Sequence, residues 1–155
     1  MRKILIVEDD PAIAKALAMF LVESDEPMPF QRMARPFGNG RFEVATASSL
    51  AECLKSLKRG DVDAVVLDLN LPDSSGVVTL ETVTNATASP VVVLTGEPDR
   101  REECLAKGAA AYAIKGDVDR QEFASIVRRA IATRGAREGI KEAKACISQL
   151  RKMGV

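Results

Sequence analysis

The chain has 155 residues, 46% of them hydrophobic, with 22 basic and 22 acidic side chains that cancel at neutral pH. That length fits one domain with a two- or three-layer core, and the balanced charge gives no global field for nucleic acid or an anionic membrane. There is no histidine, which excludes a Ser-His triad, a histidine metal site and a phosphohistidine donor.

Lys3-Ile-Leu-Ile-Val7 is an unbroken aliphatic run and reads as a buried strand. Glu8-Asp9-Asp10 follows it. Asp10 as N-cap with Pro11 at the first helical position starts a helix, in which Ile13, Ala16, Leu17, Phe20 and Leu21 recur at helical spacing. Glu23 to Arg41 breaks the pattern with Pro27, Pro29, Pro36 and Gly38-Asn-Gly40, and reads as a long loop. Its Met28, Phe30, Met33 and Phe37 among arginines are interface-like, yet long surface loops also persist because lengthening them costs little.

Phe42-Glu-Val-Ala-Thr46 alternates as a second strand, and Ser49-Leu-Ala-Glu52 has the form of a capping box opening a helix that stops at Gly60. Val65-Val-Leu67 is a third, buried strand ending in Asp68. A helix over Val77 to Asn85 is expected despite three threonines of low helix propensity. Pro90 to Thr95 forms a fourth strand, Pro98 and Asp99 begin a helix that ends at Gly108, and Ala111 to Lys115 forms a fifth strand. Asp117 or Asp119 caps a helix carrying Phe123, Ile126, Val127, Ala130 and Ile131 on one face. Strands alternating with helices predict an α/β fold: a doubly wound, five-stranded parallel sheet with right-handed crossovers and five helices. Beyond Gly135, Ile140, Ala143, Ile147 and Leu150 predict an extra C-terminal amphipathic helix. The expected division is therefore a domain over 1–133, interrupted at about 23–41, and a helical extension over 134–155. Cys53, Cys104 and Cys146 lack metal-ligand spacing and read as reduced thiols, which fits a cytoplasmic protein with no membrane span or signal-peptide core.

The strand ends carry the chemistry. Glu8, Asp9, Asp68, Thr95 and Lys115 all fall at carboxyl ends of strands, the edge where open α/β sheets place ligands. Carboxylates converging without a cation repel one another, and an oxygen-rich acidic set suits Mg²⁺. A metal, an ammonium and a hydroxyl around one carboxylate nucleophile would neutralise a phosphoryl group in flight.

Ile4-Leu-Ile-Val-Glu-Asp-Asp10, Leu67-Asp-Leu-Asn-Leu-Pro72 with Gly76, Leu94-Thr-Gly96 and Tyr112-Ala-Ile-Lys115 together resemble the receiver domains of two-component response regulators, chemotaxis receivers among them. The resemblance covers roughly residues 1 to 133. It implies a flavodoxin-like sheet of strand order 2-1-3-4-5 and assigns Asp68 as phosphoacceptor. It further implies Mg²⁺ held by Asp9, Asp68 and the Asn70 backbone carbonyl, with Glu8 acting through water. Lys115 pairs with the acceptor and then the phosphoryl oxygen, Thr95 hydrogen-bonds the phosphoryl group, and Tyr112 is an aromatic switch. Asp10 is left to the helix cap. Asn70 and Glu97, two residues beyond Asp68 and Thr95, tune hydrolysis of the acyl phosphate. The implied partners are a sensor histidine kinase or histidine phosphotransfer protein and a downstream effector protein, with no direct nucleic-acid contact; a homodimer through the helix 4–helix 5 face is ordinary for the family. The implied chemistry is self-phosphorylation and autodephosphorylation, not turnover of an external substrate. Lys115 is followed by Gly116 where the family usually has proline after a cis bond, so a trans Lys115–Gly116 link is expected. Two alternatives remain: a phosphorylation-independent scaffold, and an Asp-nucleophile phosphohydrolase, against which Asn70 counts because such enzymes place a second aspartate there.

Overall fold

The computed structural model describes residues 2–23, 42–152 and 154, with the side chains of 135–147 outside the description. The strands are β1 (Arg2–Val7), β2 (Phe42–Ala47), β3 (Ala64–Leu67), the short β4 (Asn70–Leu71) and β5 (Ser74–Ser75), β6 (Val91–Thr95) and β7 (Ala111–Ile114). The helices are α1 (Pro11–Glu23), α2 (Leu50–Leu57), α3 (Val77–Ala86), α4 (Arg101–Ala106) and α5 (Arg120–Lys152), with a 3₁₀ turn at Pro98–Arg100 before α4. The main sheet is parallel throughout, in the order β2-β1-β3-β6-β7. Setting aside the antiparallel β4–β5 hairpin, this is the expected order 2-1-3-4-5. The segment 24–41, which holds nearly all of the expected insertion, lies outside the described residues.

Period-two alternation divides the core between the two sheet faces. Leu5, Val7, Val65, Leu67, Val91 and Val93 face α2, α3 and α4 and pack with Cys53, Leu57, Leu80, Val83 and Cys104. Ile4, Ile6, Ala64, Val66 and Leu94 face α1 and α5 and pack with Leu17, Leu21, Phe123, Ala124, Val127 and Ile131. Strands buried on both faces explain the continuous aliphatic runs that marked them in the sequence.

The helix starts follow their caps. Asp10 Oδ1 accepts from Ala12 N–H at 2.9 Å, and Asp119 Oδ1 accepts from Glu122 N–H at 2.8 Å, which settles the cap of α5 on Asp119. Ser49 Oγ accepts from Glu52 N–H at 3.2 Å, half of a capping box. The other half differs: Glu52 Oε2 takes both the N–H and hydroxyl of Ser48, at 2.7 and 2.9 Å. The first amides of α2 are taken by a residue distant in sequence, Asp73, whose two oxygens accept from Leu50 and Ala51 N–H at 2.8 and 3.0 Å. These bonds hold the Asp73 carboxyl below its usual range.

The C-terminal region differs from the expected pair of helices. α5 runs unbroken for 33 residues through Gly135. A helical glycine costs only about 1 kcal/mol relative to alanine, too little to end a long helix without a left-handed cap. Of the expected stripe, Leu150 is described and exposed, while Ile140, Ala143 and Ile147 fall among the undescribed side chains.

Candidate functional site

The register of the sheet builds the site. Val7 of β1 lies opposite Leu67 of β3, so the residues that follow, Glu8 and Asp68, leave the sheet side by side. The ladder continues one step beyond the strands: Asp68 N–H donates to Val7 C=O at 3.0 Å and Glu8 N–H to Ala47 C=O at 2.9 Å. β6 and β7 are aligned Thr95 to Ile114, and Lys115 N–H donates to Thr95 C=O at 2.7 Å, which brings Lys115 to the same edge.

Glu8 and Asp68 are nearly inaccessible, at 4% and 6%, whereas Asp9 is exposed. Lys115 Nζ lies 2.6 Å from Glu8 Oε2 and 3.0 Å from Asp68 Oδ2. The remaining oxygens are also placed: Glu8 Oε1 accepts from Asp10 N–H and Asp68 Oδ1 from Asn70 N–H, each at 3.1 Å. Burial pushes the Glu8 carboxyl above its ordinary 4.5, opposed by hydrogen bonds from Lys115 and Asp10 and reinforced by the Asp68 charge. For Lys115 burial acts downward, but the hydrogen bonds to Glu8 and Asp68 outweigh it and hold the ammonium above 10.5.

Glu8, Asp9 and Asp68 each offer one carboxylate oxygen, and these oxygens all lie within 4.8 Å of one another. Three carboxylates against one ammonium leave an excess of negative charge, and an all-oxygen donor set with an exposed member is what Mg²⁺ binds, since that ion retains several waters. The donor chemistry therefore fits the ion implied by the sequence.

Thr95 is fully buried and its Oγ1 accepts from Glu97 N–H at 3.3 Å, within its own loop and not from the acidic cluster. Tyr112 is also buried, packed in the core beneath α4, and its hydroxyl donates to the Glu97 carbonyl. Burial raises its phenol above 10, partly offset by a hydrogen bond from Arg100 N–H. Asn70 is exposed at the mouth, and the Glu97 carboxylate is half-exposed and paired with Arg100. The peptide bond at Lys115–Gly116 is trans, as expected; Gly116 takes φ +90°, a conformation that suits glycine.

Sequence reading missed two contacts here. Lys115 makes its shorter contact with Glu8 and not with Asp68, and nothing in the local sequence ranks the two carboxylates. The Glu97–Arg100 pair carried a readable signal, the i,i+3 spacing of opposite charges at a helix start.

A doubly wound sheet with an acidic cluster and a lysine at its carboxyl edge defines the class: a flavodoxin-like receiver fold with the donor set of a phosphoacceptor site. The chain belongs to the response regulator receiver domain family, whose description matches residues 20–128. That match begins after Glu8 and Asp9, so it is the β1–β3 register that attaches them to the same site. Among curated proteins, the chain is similar to the transcriptional regulatory protein KdpE of Mycobacterium tuberculosis, 29% identical over 84% of this chain and 51% of that protein. It is also similar to the transcriptional regulatory protein AfsQ1 of Streptomyces coelicolor, 30% identical over 92% of this chain and 56% of that one. The chain thus spans about half the length of the curated relatives it matches. Among solved structures, a response regulator receiver domain protein from Clostridium thermocellum superposes with a TM-score of 0.70 at 26% identity, covering 88% of this chain and 98% of that one. A CheY-like receiver from Methanospirillum hungatei, at 22% identity and TM-score 0.69, shares the fold.

Proposed function

We propose that this receiver takes a phosphoryl group from a phosphohistidine partner onto Asp68 and uses the acyl phosphate to change a protein-interaction face. The observation that carries the reading is the Lys115 ammonium bridging two buried carboxylates beside an exposed third. In the transfer, an Asp68 carboxylate oxygen attacks phosphorus, the P–N bond to imidazole breaks, and the imidazole leaves with the electron pair. Asp9, Asp68 and the Asn70 carbonyl would hold Mg²⁺, with Glu8 in the surrounding shell, and the ion would supply charge neutralisation for the phosphoryl oxygens. Lys115 exchanges its Asp68 contact for a phosphoryl oxygen while Glu8 keeps its other side in place. Thr95 Oγ1 leaves the Glu97 amide for the phosphoryl group, which loosens the loop that Tyr112 holds and lets the α4–β7–α5 surface change. Hydrolysis returns Asp68 and releases phosphate, so the chain turns over only its own modification. Asn70 at the mouth supports a phosphoryl lifetime shorter than hours. The partners are a sensor kinase or phosphotransfer protein and an effector protein, and the setting is the cytoplasm; no helix among the described residues is long and apolar enough to cross a membrane.

Tyr112 is the sole tyrosine and there is no tryptophan, so intrinsic fluorescence reports that residue alone. Titration with beryllofluoride, a phosphoryl mimic, is expected to change tyrosine emission saturably, only with Mg²⁺ and not in Asp68→Asn. Emission that ignores both reagents would favour a phosphorylation-independent scaffold.

A further inference from the structure

The turn between β6 and α4 holds a set of contacts that phosphoryl transfer does not itself require. Thr95 Oγ1 accepts from the Glu97 N–H and the Tyr112 hydroxyl donates to the Glu97 carbonyl, so both bind the backbone of that residue. The Glu97 side chain is then fixed by Arg100, whose Nε lies 2.7 Å from Oε2 across the 3₁₀ turn. The same guanidinium lies on a second loop. A Cβ built on Gly76 would meet Arg100 Nη1 at 3.2 Å, so the guanidinium lies beside the space that a side chain at Gly76 would take. Gly76 N–H in turn donates at 3.0 Å to the carbonyl of Leu69, the residue after Asp68. Arg100 therefore lies between the two loops that flank the acceptor, paired with Glu97 in the one that carries Thr95 and adjacent to Gly76 in the one that starts at Asp68.

Charge alone does not account for that position. Gly76 is the N-cap of α3, an end whose free amides repel a cation, so the Glu97 carboxylate is what makes the placement favourable. We propose that Arg100 is a positioning residue that withholds the Glu97 carboxylate from the acyl phosphate and so lengthens the phosphoryl lifetime. The inference rests on the receiver reading above and adds a regulator to it. In hydrolysis a water attacks phosphorus, the P–O bond to Asp68 breaks, the carboxylate leaves with the electron pair, and the water gives up a proton. A free carboxylate can orient such a water and accept its proton, whereas one committed to a guanidinium, as Glu97 is to Arg100, cannot. With side-chain exposures of 40% for Arg100 and 45% for Glu97, the pair is open to screening by salt.

The test is autodephosphorylation of the full chain after loading with acetyl phosphate and Mg²⁺, in wild type, Arg100→Ala, Arg100→Lys, Glu97→Ala and the double variant. Arg100→Ala is expected to lose phosphate roughly two- to five-fold faster, the range an exposed ion pair can supply. Arg100→Lys should restore most of the lifetime by returning the charge, and the double variant should match Glu97→Ala. Raising salt should speed wild-type hydrolysis towards the Arg100→Ala rate while leaving that variant unchanged. An Arg100→Ala rate equal to or slower than wild type, or an acceleration that persists without Glu97, would overturn the assignment. If wild type takes up phosphate and Arg100→Ala behaves like it, this inference alone fails; if wild type takes up none, the receiver reading fails with it.

Discussion

Lys115→Met removes the ammonium while keeping most of the apolar stem, and it separates the two halves of the site's electrostatics. Lys115 makes charge-assisted contacts at 2.6 and 3.0 Å with carboxylates that are almost fully buried. Such bonds contribute about 1.5–3 kcal/mol each, so the sum is roughly 3–6 kcal/mol if both carboxylates stay charged. The lysine side chain is 26% exposed, which places the expected loss near the lower end, about 3 kcal/mol at pH 8. Protonating Glu8 relieves the repulsion. From an ordinary value of 4.5 that costs roughly 5 kcal/mol at pH 8 but only about 1 kcal/mol at pH 5.5. A carboxyl whose folded value is raised binds more protons folded than unfolded, so its contribution to stability falls as pH rises from 4.5 through the folded value. Without Lys115 that folded value climbs further, and the deficit of the variant should widen from roughly 1 kcal/mol at pH 5.5 to about 3 kcal/mol at pH 8. Urea unfolding followed by circular dichroism in EDTA measures it, and added Mg²⁺ should narrow the gap at pH 8. A deficit below about 0.5 kcal/mol at pH 8, or one that does not change with pH, would refute the electrostatic account.

Three further outcomes follow from particular contacts. Asp73→Ala should lower the thermal midpoint by freeing the first amides of α2; because the Asp73 carboxyl sits below 3.8, the wild-type advantage is present above that pH and lost as pH falls through the folded value. Gly116→Ala should cost about 1 kcal/mol from backbone conformation alone, since φ is +90° and a Cβ there meets nothing within 4 Å; an unchanged urea midpoint would contradict it. Cys53, its thiol pushed up to about 11 by burial, and Cys104, also buried and raised, should resist alkylation in the native protein and react on unfolding, as peptide mapping would show.

The fold was legible because its strands are buried on both faces. Continuous runs such as Ile4–Val7 and Val91–Leu94 have no other simple reading, and punctuation by Asp10–Pro11, Gly60, Gly108 and Asp119 located the helix ends. Gly135 misled because a glycine ends a helix only when its backbone turns left-handed, and propensity alone does not say whether it will. The acidic cluster was legible as a set, since Glu8 and Asp9 follow the end of β1 and Asp68 follows the end of β3. Its internal ranking was not: which carboxylate Lys115 favours depends on side-chain reach across the sheet edge. Asp73 escaped for the same reason, its cap lying more than twenty residues from the helix it serves.

The most direct measurement is intact mass after incubation with Mg²⁺ and acetyl phosphate, with Asp68→Asn treated alongside. A single phosphate-sized increment is expected on wild type, absent without Mg²⁺ and never formed on the variant. An increment that persists in Asp68→Asn, or none on wild type under rapid sampling, would contradict phosphorylation at Asp68.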